Sequence, residues 1–296
     1  MLNALSIDLE DWFQAELVRA HVRADVELER RVTWAVEPLL ALLDRYEVRA
    51  TFFVVGEVLR HHPDLVRRIH AAGHEIGCHG GSHRPLWSLA PETFARELDE
   101  FERAAQGVVP LDEIIGYRAP TFSLDERSAW AVDVLRDRGY LYDSSIFPVR
   151  NYMYGVDGAP SRPYWLTRAE LTTEHPQGDL LEFPLSAGRL LGLSVPVSGG
   201  FYLRAMPLWL LRALLRGINA RGNPFVVYMH PGETDAQTPR VQGLGLLSRW
   251  ITYTGQASAL KKLEALLDAF SFAPLRDVLS LQGQRRRGAM GSDGER

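Results

Sequence analysis

Short apolar strands alternate with amphipathic helices through the first 140 residues, and this rhythm limits the possible folds more than any other feature. The order is strand 3–10, helix 29–48, strand 49–56, helix 62–73, a strand from His74, helix 90–108, strand 112–120 and helix 123–140. The rhythm breaks at 148–200, which is rich in Pro, Gly and Tyr and is predicted to form long loops and β-hairpins. It resumes with helix 206–221, strand 224–230 and helix 257–270. Such alternation predicts parallel βαβ units.

The length of the chain and its apolar content favour one α/β domain of the barrel kind. A chain of 296 residues with 46% hydrophobic residues lies within the range of a single α/β barrel. We therefore expect one domain over 1–281, with a C-terminal part that begins near residue 236. Residues 282–296 show no apolar period and are predicted to form a disordered tail.

Charge and composition exclude several classes of protein. The formal net charge is −4 and the basic residues are scattered, so nothing indicates a nucleic-acid partner. The single cysteine, Cys78, excludes an internal disulfide. No apolar run reaches the ~18 residues of a membrane span, and the N-terminus enters a strand without a secretory signal, so we expect a cytoplasmic protein.

Three acids interrupt the first apolar strand. Asp8 and Glu10 share one face of this strand, roughly 6–7 Å apart, while Asp11 points elsewhere or lies in the turn beyond it. Buried carboxylates cost several kcal/mol each, so they require a compensating cation. Asp11 alone is equally well explained as a helix N-cap, but all three acids together indicate a functional site at the carboxyl end of the strand.

The sequence HGGSH at 79–83 offers a place for that cation. His79 and His83 follow a predicted strand at a spacing that brings two imidazoles to one side of a helical turn or tight loop. Two histidines and one carboxylate with an open position form a common catalytic zinc site, and a similar set holds iron in some oxygenases. Two surface histidines are the simplest alternative.

Three further polar residues follow later strands. Arg118 stands in the sequence RAP and could pair with Asp8, although an ordinary surface arginine would look the same. Asp143 follows a short strand, and His230 ends the apolar strand at 225–229. A single histidine after a strand is usually structural, but here it is one of several polar groups that arrive at the same end of successive strands.

The order of these motifs resembles the polysaccharide deacetylase family (NodB homology domain, carbohydrate esterase family four). The matching motifs are SIDLED, HGGSH, RAP, YDSS and VYMHP, and the resemblance spans roughly residues 3–275. It implies the distorted (β/α) barrel of that family with a C-terminal extension. Segments 199–235, 249–255 and 260–279 resemble the subfamily found with exopolysaccharide-biosynthesis and exosortase loci.

The resemblance implies a role for each motif. Asp8 matches the catalytic base and Arg118 the residue that orients it, while His230 matches the general acid and Asp143 the carboxylate that positions this acid.

Glu10, His79 and His83 match the ligands of a divalent metal, zinc above all. The family usually has Asp where this chain has Glu10, so Asp11 remains a rival ligand. The residues expected to contact substrate are Tyr117, Pro120 and Phe122.

The implied reaction is metal-dependent removal of N-acetyl groups from N-acetylhexosamine units. The expected partner is an N-acetylated glycan, either a polysaccharide or its lipid- or nucleotide-linked precursor. Two alternatives stay open: hydrolysis of a small cyclic amide, and a non-catalytic glycan-binding subunit of an assembly machine.

Overall fold

The computed structural model describes residues 1–22, 28–151, 153–281, 283, 284 and 286. The strands are β1 (Leu2–Leu9), β2 (Thr51–Val54), β3 (Glu75–Cys78), β4 (Gly116–Tyr117), β5 (Tyr142–Asp143), β6 (Tyr164–Leu166), β7 (Leu180–Glu182), β8 (Ala187–Leu190), β9 (Leu193–Pro196), β10 (Val226–Met229) and β11 (Ser271–Ala273). The helices are α1 (Glu16–Arg19), α2 (Val32–Ala35), α3 (Glu37–Arg45), α4 (Gly56–His61), α5 (Pro63–Ala71), α6 (Pro91–Ala105), α7 (Ala131–Asp137), α8 (Phe201–Ala205), α9 (Leu208–Ala220), α10 (Leu246–Tyr253), α11 (Gln256–Leu267) and α12 (Leu275–Val278).

The main sheet runs in the order β10-β1-β2-β3-β4-β5-β7-β6, and β11 pairs with the start of β1. Every pairing is parallel except that of β6 with β7. The sheet curls into a half-barrel with helices packed on it, and β10 and β6 are its edges among the described strands. The predicted α/β fold is therefore confirmed, and the distortion of the barrel takes the form of an open sheet.

Side-chain alternation along β1 divides the core in two. Leu5, Ile7 and Leu9 pack into the larger apolar cluster, which is shared with the helices. Ala4 belongs to a second cluster with Phe53 of β2. Because successive side chains of a strand point to opposite faces, Ser6 and Asp8 share the face of Ala4. The polar end of this face becomes the candidate site.

One predicted helix is shorter in the structure than the sequence indicates. The predicted helix 123–140 forms only as α7, because Asp125 and Ser128 bond to nearby backbone groups and so compete with helical hydrogen bonds. Within the segment predicted as a disordered tail from 282, the Arg286 guanidinium pairs with Glu102 and lies 4.5 Å from the centre of the Tyr140 ring. Most of the predicted tail lies outside the described residues. No helix in the described part of the chain is long and apolar enough to cross a membrane.

Candidate active site

Two strand ends bring three potential metal ligands together. Glu10 directly follows β1 and His79 directly follows β3, while His83 lies five residues past the end of β3. One ligand atom from each side chain lies within 4.8 Å of the others, and all three residues are buried. The loop is tight because Gly80 and His83 both adopt positive φ angles, of 75° and 56°. A non-glycine residue in this conformation is strained, and such strain occurs often at functional sites.

The protonation of these groups fits a divalent cation. Nδ1 of His79 lies 2.8 Å from the carbonyl oxygen of Arg118, which can only accept, so Nδ1 carries the proton and Nε2 keeps a free lone pair. Burial lowers the pKa of His79 to about 4, so the ring is neutral at pH 7. Burial raises the pKa of Glu10, but the neighbouring His83, together with His230 and His79, outweighs this effect and lowers the pKa to about 2. Nδ1 of His83 is buried without a hydrogen-bond partner among the described residues.

Asp11, the rival ligand, has a different role. Its carboxylate accepts the backbone N–H groups of Arg31, at 3.1 Å, and of Val32, at 3.4 Å. These groups stand at the start of α2, so Asp11 fastens the beginning of that helix to the end of β1. The geometry therefore favours Glu10 as the carboxylate ligand, as predicted.

Asp8 and Arg118 form a buried ion pair beside the three ligands. Nη1 of Arg118 lies 2.6 Å from Oδ1 of Asp8, and neither side chain is more than 2% exposed. Arg118 also donates to the hydroxyl of Ser6 and to Ser144, and its guanidinium stacks on the ring of Phe53. With its donors engaged in this way, Arg118 holds Asp8 in one orientation, which is the predicted pairing.

His230 reaches the same site from the edge strand β10, which pairs with β1. It follows β10, and its Nε2 lies 3.8 Å from Oδ2 of Asp8 and 3.9 Å from Oε1 of Glu10. Burial lowers the pKa of His230, but the carboxylates around it, that of Glu233 above all, outweigh burial and raise this pKa to about 9. The imidazole is therefore protonated at neutral pH and can donate a proton.

The carboxylate that positions His230 is Glu233, which sequence analysis missed. Its Oε2 accepts the backbone N–H of His230 at 3.0 Å and lies 3.4 Å from Nδ1 of the ring. Its Oε1 accepts from Nε of Arg204 at 2.6 Å. Although burial raises the pKa of Glu233, the charge of Arg204 and the contacts with His230 lower it to about 2, so the carboxylate is ionised. The signal in the sequence was a Glu three residues after His230, the spacing of a capping box.

Asp143 does not contact His230, and this prediction was wrong. The side chain accepts from the hydroxyl of Ser145 at 2.6 Å and faces the carboxyl of Glu182. Because side chains alternate along a strand, Ser144 points to Arg118 and Asp143 points the other way. The hydroxyl of Ser145 accepts the backbone N–H of Ala119 at 2.7 Å, so Asp143 supports the turn that carries Arg118.

One of the three predicted substrate contacts lies at the cavity. Phe122 lines it, together with the site residues. Tyr117 is 1% exposed and packs between Phe94 and Tyr140, so it is a core residue. Pro120 is buried behind Gly80 and is also absent from the lining. The prediction fails for both because the short β4 and the turn after it turn these side chains into the core.

The cavity in front of the site has a volume of about 350 Å³. One end carries Asp8, the three ligand residues and His230. Six aromatic side chains contribute to the walls: Trp12, Phe122, Tyr154, Phe201, Tyr202 and Tyr228. A small pocket of this kind, with polar groups at one end, fits a compact ligand that has apolar faces.

Two family models match consecutive parts of the chain. "Polysaccharide deacetylase" matches residues 31–141, which include both histidine ligands and Arg118. "Domain of unknown function (DUF3473)" matches residues 144–280, which include His230, Glu233 and Arg204. The candidate site is therefore built from both matched segments and from the preceding strand β1.

Curated proteins and solved structures are similar to parts of the chain. A chitooligosaccharide deacetylase from Rhizobium leguminosarum bv. trifolii is 35% identical over 97 residues, which cover 33% of this chain and 42% of that protein. A peptidoglycan-N-acetylglucosamine deacetylase from Bacillus cereus is 30% identical over 102 residues, 32% of this chain and 34% of that protein. The chain thus spans less than half the length of these relatives.

The likeness to one solved structure extends over almost the whole chain. A candidate polysaccharide deacetylase from Mycobacterium smegmatis has a TM-score of 0.54 and 20% identity, over 99% of this chain and 96% of that one. At this identity the likeness concerns the fold alone. The predicted resemblance is supported over part of the chain: residues 31–141 match the polysaccharide deacetylase family model, and 97 residues are similar to a chitooligosaccharide deacetylase.

Proposed function

We propose that the protein is a metal-dependent hydrolase that removes N-acetyl groups from N-acetylhexosamine units of a polysaccharide or of its lipid- or nucleotide-linked precursor. One observation carries the proposal: a single cavity holds a metal-ligand set, an Asp8 that Arg118 holds in place, and a protonated His230 that Glu233 holds in place. This set suits amide hydrolysis, because a metal ion can polarise the poorly electrophilic carbonyl and an acid can protonate the poor leaving group.

Glu10, His79 and His83 would hold the metal, for which we propose zinc. Two neutral imidazoles and one carboxylate are typical zinc ligands and leave a position open for substrate or water. A zinc ion bound there would supply Lewis-acid polarisation and would lower the pKa of a bound water.

The residues of the chain then perform the proton transfers. Asp8 accepts a proton from the water that attacks the acetyl carbonyl carbon, and Arg118 keeps its carboxylate turned toward that water. His230 donates a proton to the sugar nitrogen as the C–N bond breaks. The products are acetate and a free amine. The carboxylate of Asp8 and the imidazole of His230 can act on the same substrate, since Nε2 of His230 lies 3.8 Å from Oδ2 of Asp8.

The proposed substrate class rests on the cavity and on the relatives. Aromatic side chains can stack on the apolar faces of sugar rings, and six of them line the cavity. The relatives described above are named for chitooligosaccharide and for peptidoglycan N-acetylglucosamine. A role in exopolysaccharide biosynthesis is part of the proposal and rests on the resemblance at 199–235. A cytoplasmic location stays a prediction and would favour a precursor as substrate.

An acetate-release assay tests the proposal. The purified protein, loaded in turn with zinc, cobalt or manganese, is incubated with chitooligosaccharides, a UDP-linked N-acetylhexosamine, a polyprenyl-linked one and a small cyclic amide. We expect acetate from at least one N-acetylated sugar and none from the His79→Ala variant. Hydrolysis of the cyclic amide alone would refute the substrate class. Glycan binding without turnover for any metal would favour the non-catalytic alternative.

A further inference from the structure

The segment 183–232 differs in charge from the rest of the chain. It contains five arginines and no acidic residue, while the other 246 residues hold 28 Lys and Arg against 37 Asp and Glu, a net charge of −9. Two of the five arginines are used inside the protein: Arg204 pairs with Glu233, and Arg212 donates to the carbonyl of Ala265. The other three, Arg189, Arg216 and Arg221, are exposed. A local excess of positive charge on an acidic protein points to an anionic partner.

An exposed apolar tip lies in the same segment. The hairpin of β8 and β9 turns at Leu191 and Gly192, which have φ angles of 50° and 86°. Leu191 is 97% exposed, Leu193 is 71% exposed and Leu190 is 38% exposed. Two-residue hairpin turns with positive φ favour Asn, Asp or Gly at the first position. A bulky leucine there is strained and gains nothing from burial among the described residues, which points to a contact with another molecule.

Helix α9 supports the hairpin and adds to the exposed surface. A Cβ atom at Gly188 of β8 would lie 2.9 Å from Leu214, so the hairpin packs closely on this helix. Leu211, Leu214, Leu215 and Ile218 are buried, as expected for a helix that packs on the sheet. Trp209, in the first turn of α9, is 72% exposed. Tryptophan is enriched where apolar and aqueous phases meet.

The hairpin is tied to the wall of the candidate active site. The backbone N–H of Tyr228 donates to Ser198 at 2.7 Å, and the N–H of Gly200 donates to Tyr228 at 3.2 Å. Gly200 and Phe201 line the cavity only four residues after β9 ends. Only a short segment of the chain would therefore separate a partner bound at the tip from the cavity wall.

We propose that the hairpin tip, Trp209 and the three exposed arginines form a docking surface for an anionic lipid bilayer. The leucines and the tryptophan would enter the headgroup region, and the arginines would contact anionic headgroups. A bilayer fits better than a protein partner because the exposed leucines project from a two-residue turn beside a cation, since the guanidinium of Arg189 lies 3.5 Å from the carbonyl oxygen of Gly192. This inference does not depend on the proposed deacetylase function.

Vesicle sedimentation tests the apolar part of the surface. We expect the full chain to sediment with vesicles of phosphatidylglycerol and phosphatidylcholine at low salt, and much less with phosphatidylcholine alone. The double substitution Leu191→Asn with Leu193→Ser should weaken partitioning about tenfold or more. Asn suits the left-handed turn, so this variant keeps its fold. Trp209→Ser should also weaken partitioning, whereas Trp34→Ser, which removes a tryptophan that is 60% exposed elsewhere, should not.

Charge reversal tests the electrostatic part. Each arginine near an anionic surface contributes about fivefold in partitioning, so Arg216→Glu with Arg221→Glu should abolish most binding at low salt. Arg96→Glu with Arg103→Glu, the same charge change on the exposed face of α6, should have a much smaller effect. High salt should weaken binding of the wild-type protein. Failure to bind anionic vesicles, or equal losses in the test and control variants, would overturn the proposal and favour a protein-binding surface. Acetate release from soluble substrate stays unchanged in either case.

Discussion

The replacement Glu233→Gln tests the assignment of the general acid. Glu233 lies between His230 and Arg204, so an amide there removes the negative charge and presents N–H groups to a histidine that also donates. His230 loses its orientation and part of the reason for its raised pKa, while the metal ligands are not touched. The chemical prediction is a selective loss of leaving-group protonation.

The size of this effect follows from the contacts. A hydrogen bond to a charged group contributes about 1.5–3 kcal/mol, and the 3.4 Å distance between Nδ1 and Glu233 favours the low end. We therefore expect a loss of about tenfold to thirtyfold in the acetamide rate, less than the 10²–10⁴-fold typical of removing the acid entirely. The Arg204 contact can persist through the amide oxygen, so the free energy of unfolding should fall by only about 1–3 kcal/mol.

The assay compares an N-acetyl sugar with an activated aryl acetate ester, whose leaving group departs without a proton. Glu233→Gln should lower the amide rate and spare the ester. Its amide rate should also decline at lower pH than in the wild type, because the protonated form of His230 is lost as pH rises through a pKa that is now below about 9. The control is Asp143→Asn. Because Asp143 contacts Ser145 and Glu182 and not His230, this substitution should leave the ratio of amide to ester rates unchanged. A selective amide defect in Asp143→Asn, with none in Glu233→Gln, would refute the reasoning.

Further predictions concern the other carboxylates and the metal. His79→Ala should lose bound metal and retain its fold, as measured by metal analysis and thermal melting. Glu10→Ala should lose metal, whereas Asp11→Ala should keep it and lose about 1 kcal/mol of stability with its contacts at the start of α2. Asp8→Asn should keep the metal and lower both amide and ester rates about 10²–10⁴-fold, since both need the attacking water. Burial raises the pKa of Asp143 and, beside it, the pKa of Glu182, so this folded carboxyl pair keeps protons that the unfolded chain releases above about pH 4. Stability therefore falls as pH rises above about 4, and Asp143→Asn should reduce that fall, as measured by urea titrations at acidic and at neutral pH.

The position of the candidate active site in the fold could be predicted from the sequence. Parallel strands place their carboxyl ends at one edge, and a polar residue after an apolar strand marks that edge. Asp8, Glu10, His79, Arg118 and His230 were all located in this way, and the structure brings them together. The order of the strands along the chain and the two-residue period of side chains within a strand are local properties, so they can be read from the amino-acid sequence.

Which side chains face one another depended on the tertiary structure. Asp143 stands on a two-residue strand, where nothing local indicates which side faces the site, and the neighbouring β7 supplied a carboxyl partner instead. Glu233 acquired its role through Arg204, which is 29 residues away in the chain. Tyr117 became a core residue through its contacts with α6 and with the chain just before β5. The amino-acid sequence by itself thus determined the α/β fold and the edge of the sheet where the site forms. The curl of the sheet and long-range pairing decided the partner of the general acid and the shape of the cavity, because these depend on packing between segments far apart in the chain.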